Sequence, residues 1–249
     1  MNDIFVYPLQ NSKEYKDIIN CINNNKGSLL INGLLAVQKP HIAYSMYRDL
    51  NRQTIFITNS DLEAKKVYDD LSFYMKDKVE YIGFQDILFY HLDAKDRSEE
   101  AKRLKVLLKL AKGENIILVT SIEAVMRKYI PKEILLENIY TYKIGDVINL
   151  EKLSETLVNL GYERVSKIEG FGQFSIRGGI VDIFSLEYNN PIRMELFDDE
   201  IDSIRTFDVF SQKSIEKINK FSITPSREFI YPENVEEAVD KIKKDTDKN

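Results

Sequence analysis

Residues 172–208 read GQFSIRGGIVDIFSLEYNNPIRMELFDDEIDSIRTFD. Short apolar–polar alternations separated by turn residues specify antiparallel strands with one covered face. In the first alternation Phe174 and Ile176 share a face, and Ser175 and Arg177 share the other. Past the glycine pair, Val181 and Ile183 are the apolar residues that belong on the core side. Unbroken alternation would set them beside Arg177. A bulge at Gly178-Gly179, one extra residue that shifts the parity, removes the conflict. Arg177, Asp182 and Phe184 then share the outer face. In the next strand Arg193 and Glu195 alternate against Ile192, Met194 and Leu196, which reads as a solvated cross-strand charge ladder. An arginine beside an outward phenylalanine has the composition of an interface hot spot. The residues alone leave open whether Phe184 faces solvent or lies under the loop 185–190.

Around this meander the pairs Asn189-Asn190 and Asp198-Asp199 supply turn chemistry. One amphipathic helix, about 150–160, precedes it and is stopped by Gly161; the strand-like pieces FDVF and KFSITP follow it. An α+β domain is therefore expected over 131–205, with 206–249 returning to the domain that opens the chain. The last stretch, VEEAVDKIKKDTDKN, starts as a helix and ends in a charged tail, the pattern expected of a fragment of a longer protein.

The first 130 residues alternate strands and helices. Continuous apolar or β-branched runs at 27–34 (GSLLINGL), 54–59, 79–83 and 115–120 predict buried parallel strands. Ser60 with Glu63, and Asp96 with Glu99, predict capping boxes for the helices between them. Alternation of this kind implies an α/β fold with a doubly wound parallel sheet.

The turn after the first run, 33–40 (GLLAVQKP), stands where a phosphate-binding loop would. The working pattern is G-x-x-x-x-G-K-[ST]. Its glycines admit the phosphates to backbone N–H groups, its lysine neutralises charge and its hydroxyl holds Mg²⁺. Gly33 and Lys39 stand at matching places, but Gln38 replaces the second glycine. Pro40 replaces the hydroxyl residue and removes a backbone N–H. The pair Gly33 and Lys39 reads as a non-functional remnant, in a chain with no catalytic, cofactor-binding or metal site.

Of 249 residues, 43% are hydrophobic and 30% charged, as in a globular protein. The net charge of −5 argues against a dedicated nucleic-acid grip. Cys21 is the only cysteine, and His41 and His91 are far apart in sequence, so neither a disulfide framework nor a thiolate or histidine metal centre is expected. No apolar run spans a bilayer and no signal peptide is visible, which suits a cytoplasmic location.

FSIRGGIVDIF, PIRMELFDDEIDSIRTFD and SITPSREF, with GYERV and KIGDVINLEKLSETLVNLGY before them, resemble the N-terminal module shared by UvrB and Mfd, the transcription-repair coupling factor. The resemblance covers nearly the whole chain and is strongest over 142–229. UvrB carries an intact phosphate loop and inserts a long aromatic hairpin after the third strand. Here the loop is degenerate and only FQDILFYHLDAKD follows that strand, as in the Mfd branch. Phe84, Phe89, Tyr90 and His91 are accordingly expected to pack rather than probe DNA. The resemblance implies a degenerate P-loop-type domain over 1–130 and a UvrA-interaction domain over 131–205. It implies UvrA contacts at Arg164 and Arg177; Phe184 joins them on the parity argument alone. ATP and Mg²⁺ would serve a motor elsewhere in the parent protein, as would contacts to RNA polymerase and DNA; no membrane is involved. Two other readings stay open at this point: a UvrB-type nucleotide-dependent damage binder, and a mainly autoinhibitory module.

Overall fold

The computed structural model describes residues 4–24, 27–84, 93–230 and 243, the side chains of 93–97 excepted. The chain divides into two units, Met1–His91 with Lys112–Lys128, and Leu92–Ala111 with Tyr129–Asn249.

The first unit opens with α1 (Tyr7–Gln10) and α2 (Lys13–Asn23), the latter capped by Ser12 Oγ, which accepts from the Tyr15 N–H. Then come α3 (Gln38–Leu50), β1 (Thr54–Thr58), α4 (Asp61–Tyr74) and β2 (Val79–Ile82). The Ser60 cap on α4 forms, with Oγ accepting from the Glu63 N–H at 3.3 Å. After β2 the chain contributes α5 (Asp93–Ala111) to the second unit and returns as β3 (Ile117–Ser121) and α6 (Ile122–Val125). The strands form a parallel sheet in the order β1-β3-β2. Central β3 is buried at all five residues, the signature of a parallel strand covered on both faces. Ala64, Val67 and Leu71 of α4 pack with Ile117 and Val119.

The strand expected at 27–34 does not form. That segment joins no ladder, and Leu30 is 82% exposed. Gly27 and Gly33 both take positive φ, 84° and 83°, which breaks an extended run at both ends. Continuous apolarity supplied the pattern of a strand without its backbone. Phe84, expected to pack, is half-exposed, with its N–H donated to Asp61. Phe89, Tyr90 and His91 lie outside the described residues, as does the C-terminal helical stretch. Helix α5 starts at Asp93, ahead of the Asp96 cap expected for it.

The second unit continues with α7 (Lys132–Glu137), β4 (Tyr140–Lys143) and α8 (Leu150–Asn159). Asn149 caps α8 by accepting from the Lys152 N–H, and Gly161 at φ 86° ends it, the left-handed residue that commonly closes a helix. Then follow β5 (Glu163–Arg164), β6 (Gln173–Arg177), β7 (Ile180–Ile183), β8 (Ile192–Phe197), β9 (Glu200–Phe207), β10 (Ser214–Lys217) and β11 (Lys220–Ile223). Six of them form one sheet in the order β10-β9-β8-β7-β6-β5, while β11 pairs with β4. Leu153, Leu157 and Leu160 of the α8 region pack on Phe174, Val181, Ile183, Ile192, Met194, Ile201 and Ile204, and β11 adds Phe221 and Ile223. Because β10 pairs with β9 and β11 with β4, residues 206–223 stay in this unit. The break expected at 205/206 is not where the strands part, and the expected 131 boundary leaves out α5, which belongs here.

The β6–β7 register corrects the bulge. Arg177 pairs with Ile180 and Ser175 with Asp182, so Gly178-Gly179 is a two-residue hairpin turn. A two-residue turn shifts parity as a one-residue bulge does, so Arg177, Asp182 and Phe184 still share a face. Gly178 holds φ 59°, and a Cβ on Gly179 would stand 3.0 Å from the Leu196 carbonyl oxygen. Forcing a β-branched residue into the left-handed conformation at position 178 costs about 1–3 kcal/mol. Gly178→Val is therefore expected to lower the unfolding free energy of this unit by that amount, read by circular dichroism as a lower urea midpoint with the slope unchanged.

Candidate partner-docking face

On the outer face of the large sheet, Asp182 lies opposite Arg193 and beside Arg177. Its side chain is only 2% exposed. One oxygen accepts from Arg193 Nε at 2.7 Å; the other accepts from Arg193 Nη2 at 2.9 Å and from Arg177 Nη2 at 2.8 Å. The Arg193 guanidinium carbon sits 4.4 Å from the centroid of the buried Phe207 ring, and its Nη2 also reaches Gln212. The hydrogen bond to Asp182 is the largest influence on Arg193 and raises its pKa against the opposing effect of burial. A buried carboxylate held by a bidentate arginine is satisfied and rigid. Arg193 is thus no solvated rung of a ladder; its side chain is 17% exposed.

Arg177 differs. Its side chain is 52% exposed, with one nitrogen on Asp182. A guanidinium has five N–H donors in a planar fork, so it is fixed at one corner while the rest of the fork faces outward. Next along the sheet Glu195 pairs with Arg205 and accepts from Ser203 Oγ at 2.9 Å. Burial works to raise the Glu195 pKa, but the Ser203 and Arg205 bonds and the charges of Arg205 and Arg193 outweigh it and hold it below the usual carboxylate range.

Phe184 is not a surface residue. It is 6% exposed, and Phe171 lies over it with ring centroids 4.2 Å apart. Parity placed Phe184 on the outer face correctly, but the segment before β6 folds back across that face. Ser175 is likewise covered and donates to the Ser166 carbonyl. Both contacts come from the segment before β6, through Phe171 and Ser166, rather than from the loop 185–190 weighed from sequence. Phe171, half-exposed, is the aromatic that sequence reasoning missed, and nothing local to it announces which strand it will cover.

Arg164 is exposed on the short edge strand β5, which runs parallel to β6 with Arg164 opposite Phe174. That register puts it on the core-side face of the sheet, whereas Arg177 belongs to the outer face. The two arginines share an edge region but not a face. From Phe174 to Arg177 is three residues, about 10 Å along the strand.

Gly33 and Lys39 flank the turn that leads into α3. The Leu35 N–H donates to Gln38 Oε1 at 2.9 Å, Gln38 and Lys39 begin α3, and Pro40 is buried in its first turn. No group of three or more His, Cys, Asp or Glu side chains suited to a metal ion occurs among the described residues. No helix among them is long and apolar enough to cross a membrane.

The mostly antiparallel sheet of the second unit, with one helix-packed face and one arginine-bearing face, defines a domain of the UvrB type: residues 141–229 match the family model described as the UvrB interaction domain. The chain is 33% identical over 236 residues, 94% of its length, to the transcription-repair-coupling factor of Bacillus subtilis. It is 33% identical over 84% of its length to that of Staphylococcus aureus strain Mu50, and 32% identical over 84% to that of a Staphylococcus epidermidis strain. The chain belongs to the UvrB/Mfd family, as a relative of these transcription-repair-coupling factors. It spans about a fifth of the length of the curated relatives it matches.

Proposed function

We propose that this chain is a non-catalytic module that recruits UvrA by presenting a UvrB-like face. In the longer protein it links RNA polymerase stalled at a lesion to nucleotide excision repair. The observation that carries this reading is Arg177: a half-exposed guanidinium anchored to a buried carboxylate, within a UvrB interaction domain. Anchoring lowers the conformational entropy lost when the side chain meets a partner. The ATP-dependent translocation that releases polymerase, with its ATP and Mg²⁺, belongs to other regions of the parent protein, as do the contacts to polymerase and DNA. The setting is cytoplasmic. Arg164 is a second polar contact approached from the sheet edge; Phe184 contributes through Phe171, which stands on it.

The 33–40 segment is, on this reading, a degenerate phosphate loop. Its support is that Gln38 satisfies the Leu35 N–H that a phosphate would claim and that Pro40 supplies no hydroxyl. No Mg²⁺-ATP binding to the chain is expected in equilibrium dialysis at millimolar nucleotide; saturable binding there would restore the nucleotide-dependent enzyme reading. The recruiting role is tested by calorimetric titration of the chain with UvrA, where saturable binding is expected and its absence would overturn the proposal.

A further inference from the structure

The outer face carries an apolar strip that neither the arginines nor the covered Phe184 account for. Phe197, the last residue of β8, is 81% exposed. It pairs with Glu200, and Glu200 is bridged on its other side by Val147, itself 68% exposed. Directly opposed residues project to the same side with Cβ atoms about 4.5–5.5 Å apart, so Phe197, Glu200 and Val147 form one row. The adjacent row is Arg177, Ile180, Glu195 and Ser203. Phe197 follows Glu195 by two residues along β8, which puts both rows on the Arg177 face. The Leu196 N–H donates to the Gly179 carbonyl at 2.8 Å, so the Gly178-Gly179 turn lies directly beside the end of β8.

The charges on this strip are unequal. Glu195 is neutralised by Arg205, whereas Asp198, Asp199 and Glu200 gather at the hairpin tip and are exposed. An exposed aromatic with aliphatic neighbours and a charged rim is the composition of an interface anchor, the rim excluding water from the centre.

Resting on the recruiting role above, we propose that Phe197, flanked by Ile180 and Val147, is the apolar anchor of the docking face. The surface it fits belongs to the proposed protein partner and has three matching parts. An apolar side chain covers Phe197, a carboxylate meets Arg177, and a cationic side chain meets the acidic tip formed by Asp199 and Glu200. The anchoring aromatic of the face is thus Phe197 on β8, not Phe184.

Phe210 provides an internal control. It is 92% exposed but lies in the turn after β9, at the opposite end of the meander from the β8–β9 hairpin. The test is a titration of the whole chain with UvrA, comparing wild type, Phe197→Ala, Phe210→Ala and Arg177→Ala, each first confirmed folded by circular dichroism. Phe197→Ala is expected to weaken binding at least about tenfold and Phe210→Ala less than about twofold. If Arg177→Ala weakens binding while Phe197→Ala leaves it within about twofold of wild type, the anchor assignment fails and the recruiting role stands. Equal losses at Phe197 and Phe210 would also overturn the assignment. No binding by wild type would overturn the recruiting role and this assignment with it.

Discussion

Asp182→Ala is expected to destabilise the second unit by about 3–5 kcal/mol, the cost of leaving a largely buried arginine without its counter-charge. Asp182 receives three hydrogen bonds from two arginines and is 2% exposed. Arg177 can turn to water when its partner is lost, but Arg193 cannot, being held under the sheet's own cover against Phe207. The damage therefore travels through Arg193, and it is reversible by removing that charge. Arg193→Met in the Asp182→Ala background is expected to recover much of the loss, since an apolar side chain of similar length restores packing without an unpaired ion. Urea unfolding followed by circular dichroism reads both variants. A double variant no more stable than Asp182→Ala alone would contradict this explanation.

Phe174→Ala is the second large effect, about 3–5 kcal/mol, from lost transfer free energy together with the cavity left behind. Phe174 is fully buried and packs in the core of α8 and the sheet. It is also hemmed in by backbone: the Val165 N–H donates to its carbonyl at 2.9 Å and Ile183 is its register partner. The ladder limits how far the site can collapse to fill the void. Because β5 hangs on β6 through this position, Arg164 is expected to lose its placement together with stability. Phe210→Ala, at an exposed position, should shift stability by no more than about 0.5 kcal/mol. If Phe174→Ala unfolds as readily as that control, the core has been misidentified.

The meander was legible in the sequence because period-two alternation with turn pairs admits few alternatives. The Ser60 and Gly161 helix ends were legible because capping is local chemistry. The outer-face parity was also legible, although a two-residue turn and a bulge produce the same shift and pattern alone does not separate them. What sequence did not give is non-local. An apolar run at 27–34 satisfied every local criterion for a buried strand, yet its flanking glycines take positive φ and it joins no ladder. Helix α5 interrupts the first unit in sequence while belonging to the second. Phe184 was assigned to the right face, but its exposure stayed open, because its cover, Phe171, comes from a loop thirteen residues upstream. The pairing of Asp182 with Arg193 had a signal, opposite charges on adjacent alternating strands. Its burial did not, since that depends on Phe207 at the end of β9 and Gln212 in the turn after it.

The central claim is that a guanidinium held by a buried carboxylate presents this domain to its partner. The direct measurement is the dissociation constant for UvrA of the wild-type chain against Arg177→Ala, by calorimetry, with the urea midpoint of each recorded alongside. At a docking hot spot the substitution costs about 2 kcal/mol of binding, roughly thirtyfold, with stability within about 0.5 kcal/mol of wild type because the side chain is half-exposed. Unchanged affinity in a folded Arg177→Ala chain would contradict the account.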